Sequence, residues 1–298
     1  MQGSQVTVRK LKFEYPDNFD ACWTKHRPEF SCVANSISLL MPYMEPYVVK
    51  SVANYLPLLD EQAKTDSQID LENQGNQSQA QTVRDYLAQE TQHHIQHKKF
   101  NKIITRQYKR LTKHERVTQK IFNRLQKKRS NEFNLAMAAT FEAFAYSVAH
   151  WTAPNQSELF KQANPEVLRL FKWHLAEEIE HKEVVFNVWK AAQGKTWRYV
   201  AACFVSVAML AAFVLVATTT MLVYERRIFN PISWYRLTKW AISFAFELLP
   251  NLTITALPSF HPDQLVDPIS AKIWLHEAQA EPEVKLQPDL SLETSSPI

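Results

Sequence analysis

Residues 90–97 read ETQHHIQH, and residues 174–181 read HLAEEIEH. Glu90 precedes His93 by three positions, and Glu178 precedes His181 by three. At about 100° per residue, Glu90, His93 and His97 share a helix face of about 60°, as do His174, Glu178 and His181. Each stretch therefore presents a carboxylate and an imidazole in one direction, with an additional histidine beside them. A Glu-x-x-His pair on one solvated helix means little. Repeated on two helices, it is the pattern by which facing helices of a bundle hold two metal ions, provided that two further helices each add a glutamate.

Those glutamates have candidates. Glu142 is the only acid in LAMAATFEAFAYSVAHW (135–151), where an unpaired carboxylate is costly to bury. Glu45 is the only acid in SLLMPYMEPYVVKSV (38–52). The order along the chain is Glu45, Glu90-x-x-His93, Glu142, Glu178-x-x-His181. Glu90 and Glu178 are expected to be bridging or near-bridging carboxylates, His93 and His181 to serve one metal each, and Glu45 and Glu142 to be terminal ligands. Glu177 competes with Glu178, being four residues before His181, but the repeated spacing favours Glu178. His97 and His174 are either extra ligands or groups that orient the carboxylates. His94, His114 and His150 read as surface or structural residues, and Tyr146 as a packed aromatic. Pro46 biases Glu45 away from helical geometry, so the first helix is expected to kink or restart there.

The rest of the chain fits helices. Only three of its 298 residues are glycine. Dinucleotide-binding sheets, P-loops, hairpin-rich sandwiches and barrels use glycine where φ turns positive, and do not fit. Cys22, Cys32 and Cys203 have no metal-ligand spacing, which points to a reducing compartment. The pattern predicts long helices over about 31–59, from 78 to beyond 100, over 131–151 and over 164–193, with a polar loop at 61–77. The implied organisation is an N-terminal segment (1–30), a metal-binding bundle (31–195), a membrane-associated helical region (196–260) and a tail (261–298), polar and disordered from Glu281. Residues 1–14 carry charge without an apolar core, unlike a secretory signal.

From Tyr199 to Tyr224 the chain reads YVAACFVSVAMLAAFVLVATTTMLVY, without a charged residue. A helix crossing the bilayer core needs about 20 predominantly apolar residues, whereas buried core helices are usually shorter and carry a polar face. A membrane-embedded helix is therefore expected over 199–224, followed by an amphipathic interfacial helix over 231–249. Lys98 to Arg129 holds thirteen Lys and Arg against the single acid Glu115. Too few aromatics are interleaved for base stacking, so no nucleic-acid partner is expected. Anionic lipid headgroups suit the cluster better. If the third and fourth helices pair antiparallel, the cluster lies at the end where the apolar run begins, on the cytoplasmic side under the positive-inside rule.

The sequence resembles a bacterial family described as predicted metal-dependent hydrolases, and its ligand order is similar to that of ferritin-like di-iron proteins. The resemblance runs from about Asn35 to Pro262. It is carried by SISLLMPYMEPYVVKSV, YLAQETQHHIQHKKFN, the Glu142 helix, WHLAEEIEHKEVVFNVW, the apolar helix and LPSFHP. Family members usually have glycine before the first glutamate and no proline after it, and Met44 and Pro46 depart from that. The resemblance implies an all-α, ferritin-like four-helix bundle with a C-terminal hydrophobic membrane-associated helix, at a bacterial inner membrane.

Carboxylate and imidazole ligands suit two metal ions per chain, iron first, with manganese or zinc also compatible. With iron, the expected chemistry is O2-dependent oxidation of a hydrophobic or lipid-like small molecule, with an electron donor as partner. The alternative is hydrolysis by a two-metal activated water, with His97 or His174 as general base. Iron storage needs a shell of subunits that a hydrophobic anchor makes awkward. Histidine-box membrane desaturases need more spanning helices and more His boxes than this chain has.

Overall fold

Ser78, Ser130, Asn164 and Asn230 each accept a hydrogen bond from backbone N–H groups of the turn that follows. Such caps satisfy donors that a helix start leaves free. Pro165 and Pro231 occupy first-turn positions, where a missing N–H costs nothing. The computed structural model describes residues 6–16, 18–69, 78–257 and 259–279. The helices are α1 (Pro28–Ala53), α2 (Leu56–Ile69), α3 (Gln79–Gln107), α4 (Leu111–Lys128), α5 (Asn131–Leu159), α6 (Pro165–His181), α7 (Val184–Ala191), α8 (Thr196–Tyr224), α9 (Pro231–Thr255) and α10 (Ile269–Gln279). The protein is all-α: no strand occurs among the described residues, only an isolated bridge between Thr24 and Ala163.

Four helices enclose the site. α1 packs along α3 and also against α5, and α5 packs against α6. α1 is continuous through Pro42 and Pro46, so it does not restart there. Pro42 has no N–H to offer the Ser38 carbonyl, which accepts instead from Asn101 Nδ2 on α3 at 2.8 Å. A tertiary hydrogen bond replaces the helical one, and Glu45 stays buried on the inner face. Two further expectations change. Helix α2 occupies much of the span read as a polar loop; the remainder of that loop lies outside the described residues. The single helix expected over 164–193 breaks after His181 into α6 and α7. The tail from Glu281 also lies outside the described residues.

The N-terminal segment is part of the structure around the site. Arg9 is buried against α6, and the Phe13 ring lies 5.5 Å from that of Trp173. At the other end Glu29, fully buried on α1, accepts hydrogen bonds from Arg227, Ser233 and Arg236. Those contacts fix the α8–α9 turn to the start of α1.

α8 is long and apolar enough to cross a membrane, yet only 22% of its most apolar window is buried. Its inner stripe includes Tyr199, Ala202, Ser206, Leu210, Ala217 and Met221. Ser206 meets Thr140 of α5 at 2.6 Å, and Thr218 meets Ser36 of α1 at 2.9 Å. Arg198 near its start pairs with Glu132, and Glu225 just beyond its end accepts from Tyr108. α1 and α5 thus lie alongside α8, with contacts near both of its ends. Lys109, Arg110, Lys113 and Arg116 flank a groove between α4 and Met209–Val223 of α8. The first part of the basic segment therefore runs beside the second half of α8, while its last residues, Lys127 to Arg129, directly precede α5, whose Glu132 pairs with Arg198 where the apolar run begins.

Candidate metal centre

Each of the four enclosing helices contributes an inward-facing carboxylate: Glu45 from α1, Glu90 from α3, Glu142 from α5 and Glu178 from α6. His93, His174 and His181 join them, all buried. They form two adjoining groups. Glu90, Glu142, Glu178 and His181 offer ligand atoms that lie within 4.8 Å of one another, and so do Glu45, His93 and His174. Glu178 stands between the groups. Its Oε1 is 2.8 Å from His174 Nε2 and 3.8 Å from His93 Nδ1, while Oε2 is 3.4 Å from His181 Nδ1.

The two Glu-x-x-His imidazoles are held in the same way. His93 Nε2 is 2.9 Å from Glu177, and His181 Nε2 is 2.8 Å from the Gln89 Oε1 oxygen. Each acceptor holds the Nε2 proton and turns Nδ1 inward, where a metal could take its lone pair. Against the effect of burial, Glu178 and Glu90 raise His181 well above the usual imidazole range, so its Nδ1 carries a proton when no metal is bound. His181 Nδ1 comes within 2.9 Å of Glu90 Oε1 outside hydrogen-bond geometry. Behind the rings one network joins both supports. Arg9 pairs with Glu177 and Glu180 at 3.0 Å each, and Gln89 Nε2 donates to Glu180 at 2.9 Å.

A second relay holds His174. Asn101 donates its amide to the Ser38 carbonyl, so its Oδ1 accepts from Ser38 Oγ at 2.6 Å. Ser38 must then accept from His97 Nδ1 (2.8 Å), and His97 Nε2 from His174 Nδ1 (2.9 Å). That order leaves the His174 Nε2 lone pair aimed at the Glu178 carboxylate. Two acceptors at this range need a proton or a metal ion between them. His97 touches none of the inward carboxylates and acts through His174.

The donor set fits metal. Both Glu45 oxygens, Glu90 Oε1, His93 Nδ1, Glu142 Oε2, Glu178 Oε2 and His181 Nδ1 are buried with no hydrogen-bond partner. Buried polar atoms are almost always paired, and here the unpaired ones converge on one space. Their ionisation carries the same strain. Burial, followed by the neighbouring carboxylates, pushes Glu45 and Glu142 well above the usual carboxylate range. Burial also works to raise Glu178, but the His174 and His181 imidazoles outweigh it and hold it well below that range. Burial and the nearby His174 lower His93 to about 3, so it is neutral at physiological pH. Burial raises Glu177 to about 7, against the pull of Arg9.

All eight residues singled out in the sequence converge here, with His97 one hydrogen bond behind the rest. Glu177 faces away, on Arg9 and His93. Arg9, Gln89 and Tyr86, whose hydroxyl donates to Glu142 at 2.6 Å, were not legible as site residues. Burial of a lone arginine in a short N-terminal segment leaves no periodic signal.

Fold and site together define an all-α protein built around a buried carboxylate–histidine cluster able to hold metal. A family model described as "Predicted metal-dependent hydrolase" matches residues 7–265, and the chain belongs to that family. No curated protein and no solved structure matches it.

Proposed function

We propose that the protein is a metal-dependent hydrolase with a dinuclear site, one ion held by Glu90, Glu142, Glu178 and His181, the other by Glu45, His93 and His174, with Glu178 shared. The observation that carries this reading is the set of buried, unpartnered ligand atoms on four helices. Bound divalent ions would supply Lewis acidity and an activated water or, if redox-active, electrons to O2. Glu177 and Gln89 hold the imidazoles in the ligating tautomer. Glu45, both of whose oxygens are buried and unpaired, would help hold the second ion, and an oxygen not used for that could take a proton from a water there. His97 positions His174. The family description supports hydrolysis.

The second reading, O2-dependent oxidation by a di-iron site, is favoured by the apolar cavity that reaches Glu178 and His174. Metal analysis of anaerobically purified protein, then assay of acyl esters without O2, separates the two. Two zinc or manganese ions with anaerobic ester cleavage support hydrolysis. Two irons, no hydrolysis and an optical change on admitting O2 support oxidation. Absence of bound metal would overturn both.

We also propose that the outward faces of α8 and α9 lie in the cytoplasmic leaflet of a bilayer, with the α4 cations at anionic headgroups. Phe204 is 75% exposed and Phe246 79%. A full crossing by α8 would drag α1, α4 and α5 into the hydrocarbon, so the helix is read as embedded along one face. Cysteines placed at Arg198 and Arg226 should react with an impermeant thiol reagent from the same side. Labelling from opposite sides would show a crossing instead.

A further inference from the structure

We propose that the substrate bears a slender fatty-acyl chain, which reaches the metal ligands from the bilayer through a cavity between α1, α5, α6 and α8. The proposal rests on the metal-dependent reading above and names its substrate class. The cavity measures about 90 Å³. Glu178, His174 and His97 form its polar end. Apart from these and Thr152, its lining is entirely apolar or aromatic. A polar headgroup inside such walls would lose its hydration without gaining partners, whereas methylenes gain about 0.8 kcal/mol each on burial. So small a volume, lying between four helices, makes it a slot rather than a chamber. Met41 and Met44 line it, and methionine adapts its shape more readily than branched side chains.

The outer rim points to the source of the chain. Val33, Ile37, Phe144, Val148 and Val214 line the cavity and are half-buried, whereas Leu210, deeper on α8, is closed off. From α9, Phe244 packs on Phe144 and Trp151, with ring centroids 5.3 and 6.1 Å apart. Both helices bordering the rim carry large exposed apolar residues on their outward faces, Leu215 on α8 and Ile242 and Phe246 on α9. A contiguous apolar face of this kind marks a membrane or partner surface. The cavity lining from the half-buried rim to Glu178 is apolar until its last residues.

Photolabelling of the full-length protein in phosphatidylcholine vesicles tests this. The probes are a diazirine-bearing fatty acid and a phosphatidylcholine carrying the same chain, with metal content measured on the same sample. Adducts are expected on the cavity faces of 33–44 and 144–151 and on Leu210 or Val214. Which probe labels shows whether free acid or esterified chain is admitted. Ala145→Trp and Val214→Trp, which fill the slot, should each cut cavity labelling by about tenfold with metal content unchanged. Leu215→Trp, on the outward face, should leave it intact. Adducts confined to outward positions such as Phe204, Leu215 and Phe246, or cavity labelling that neither folded plug variant reduces, would overturn the proposal. Metal-replete protein without cavity adducts defeats the cavity alone. Cavity adducts on protein that never holds metal defeat the metal-dependent reading alone.

Discussion

The two halves of the proposed metal centre carry the same Glu-x-x-His spacing and differ in what stands behind the imidazole. Behind His181 is the neutral Gln89; behind His93 is the carboxylate of Glu177, itself held by Arg9. An anionic acceptor strengthens the donor character of the ring more than an amide does. The His93 half needs that help. It has one carboxylate of its own, Glu45, whereas the His181 half has Glu90 and Glu142, with Glu178 between the two. Equal spacing in sequence therefore does not mean equal surroundings for the two imidazoles.

Removing the shared group should erase the comparison. Glu178→Ala is expected to lose both ions and all metal-dependent activity, measured by elemental analysis and turnover. Retention of one ion would assign Glu178 to one half only. Next come the imidazoles. His93→Ala and His181→Ala should each hold one ion instead of two, and if His93→Ala keeps both with full activity the assignment to halves is wrong.

Arg9 acts on both sides at once, because Glu177 and Glu180 share its guanidinium and Glu180 also receives Gln89. Arg9→Met removes the cation paired with buried Glu177 and half-buried Glu180 and should cost about 3–5 kcal/mol of stability. Denaturant unfolding reads this directly, and an unchanged midpoint would remove Arg9 from the support of the site. The smallest effect sharpens the comparison most. Glu177→Gln should weaken one ion by about 10–100-fold and leave the other unchanged, as seen by metal titration. Equal weakening of both would mean that the halves are coupled through the Arg9 network.

The fold and the site were legible to different depths. Glu90, His93, Glu178 and His181 could be read because a helix converts a spacing of three into a shared direction. Glu45 and Glu142 could be read because a lone acid in an apolar helix calls for a partner. The continuity of α1 could not, since the Ser38 carbonyl freed by Pro42 is satisfied by Asn101, a residue on another helix. The role of His97 was open for a similar reason. Only the chain of acceptors from Asn101 through Ser38 shows which ring faces the carboxylates.

The sequence by itself determined the helical class, the carboxylates and imidazoles that converge and the apolar character of α8, all properties of local periodicity and composition. Tertiary structure decided which groups stand behind the ligands and how α8 lies against the bundle. Arg9 meets Glu180 across 171 positions of chain, and α8 meets α1 through Ser36 and Thr218. Such contacts arise from packing between elements distant in sequence, and no local pattern encodes them.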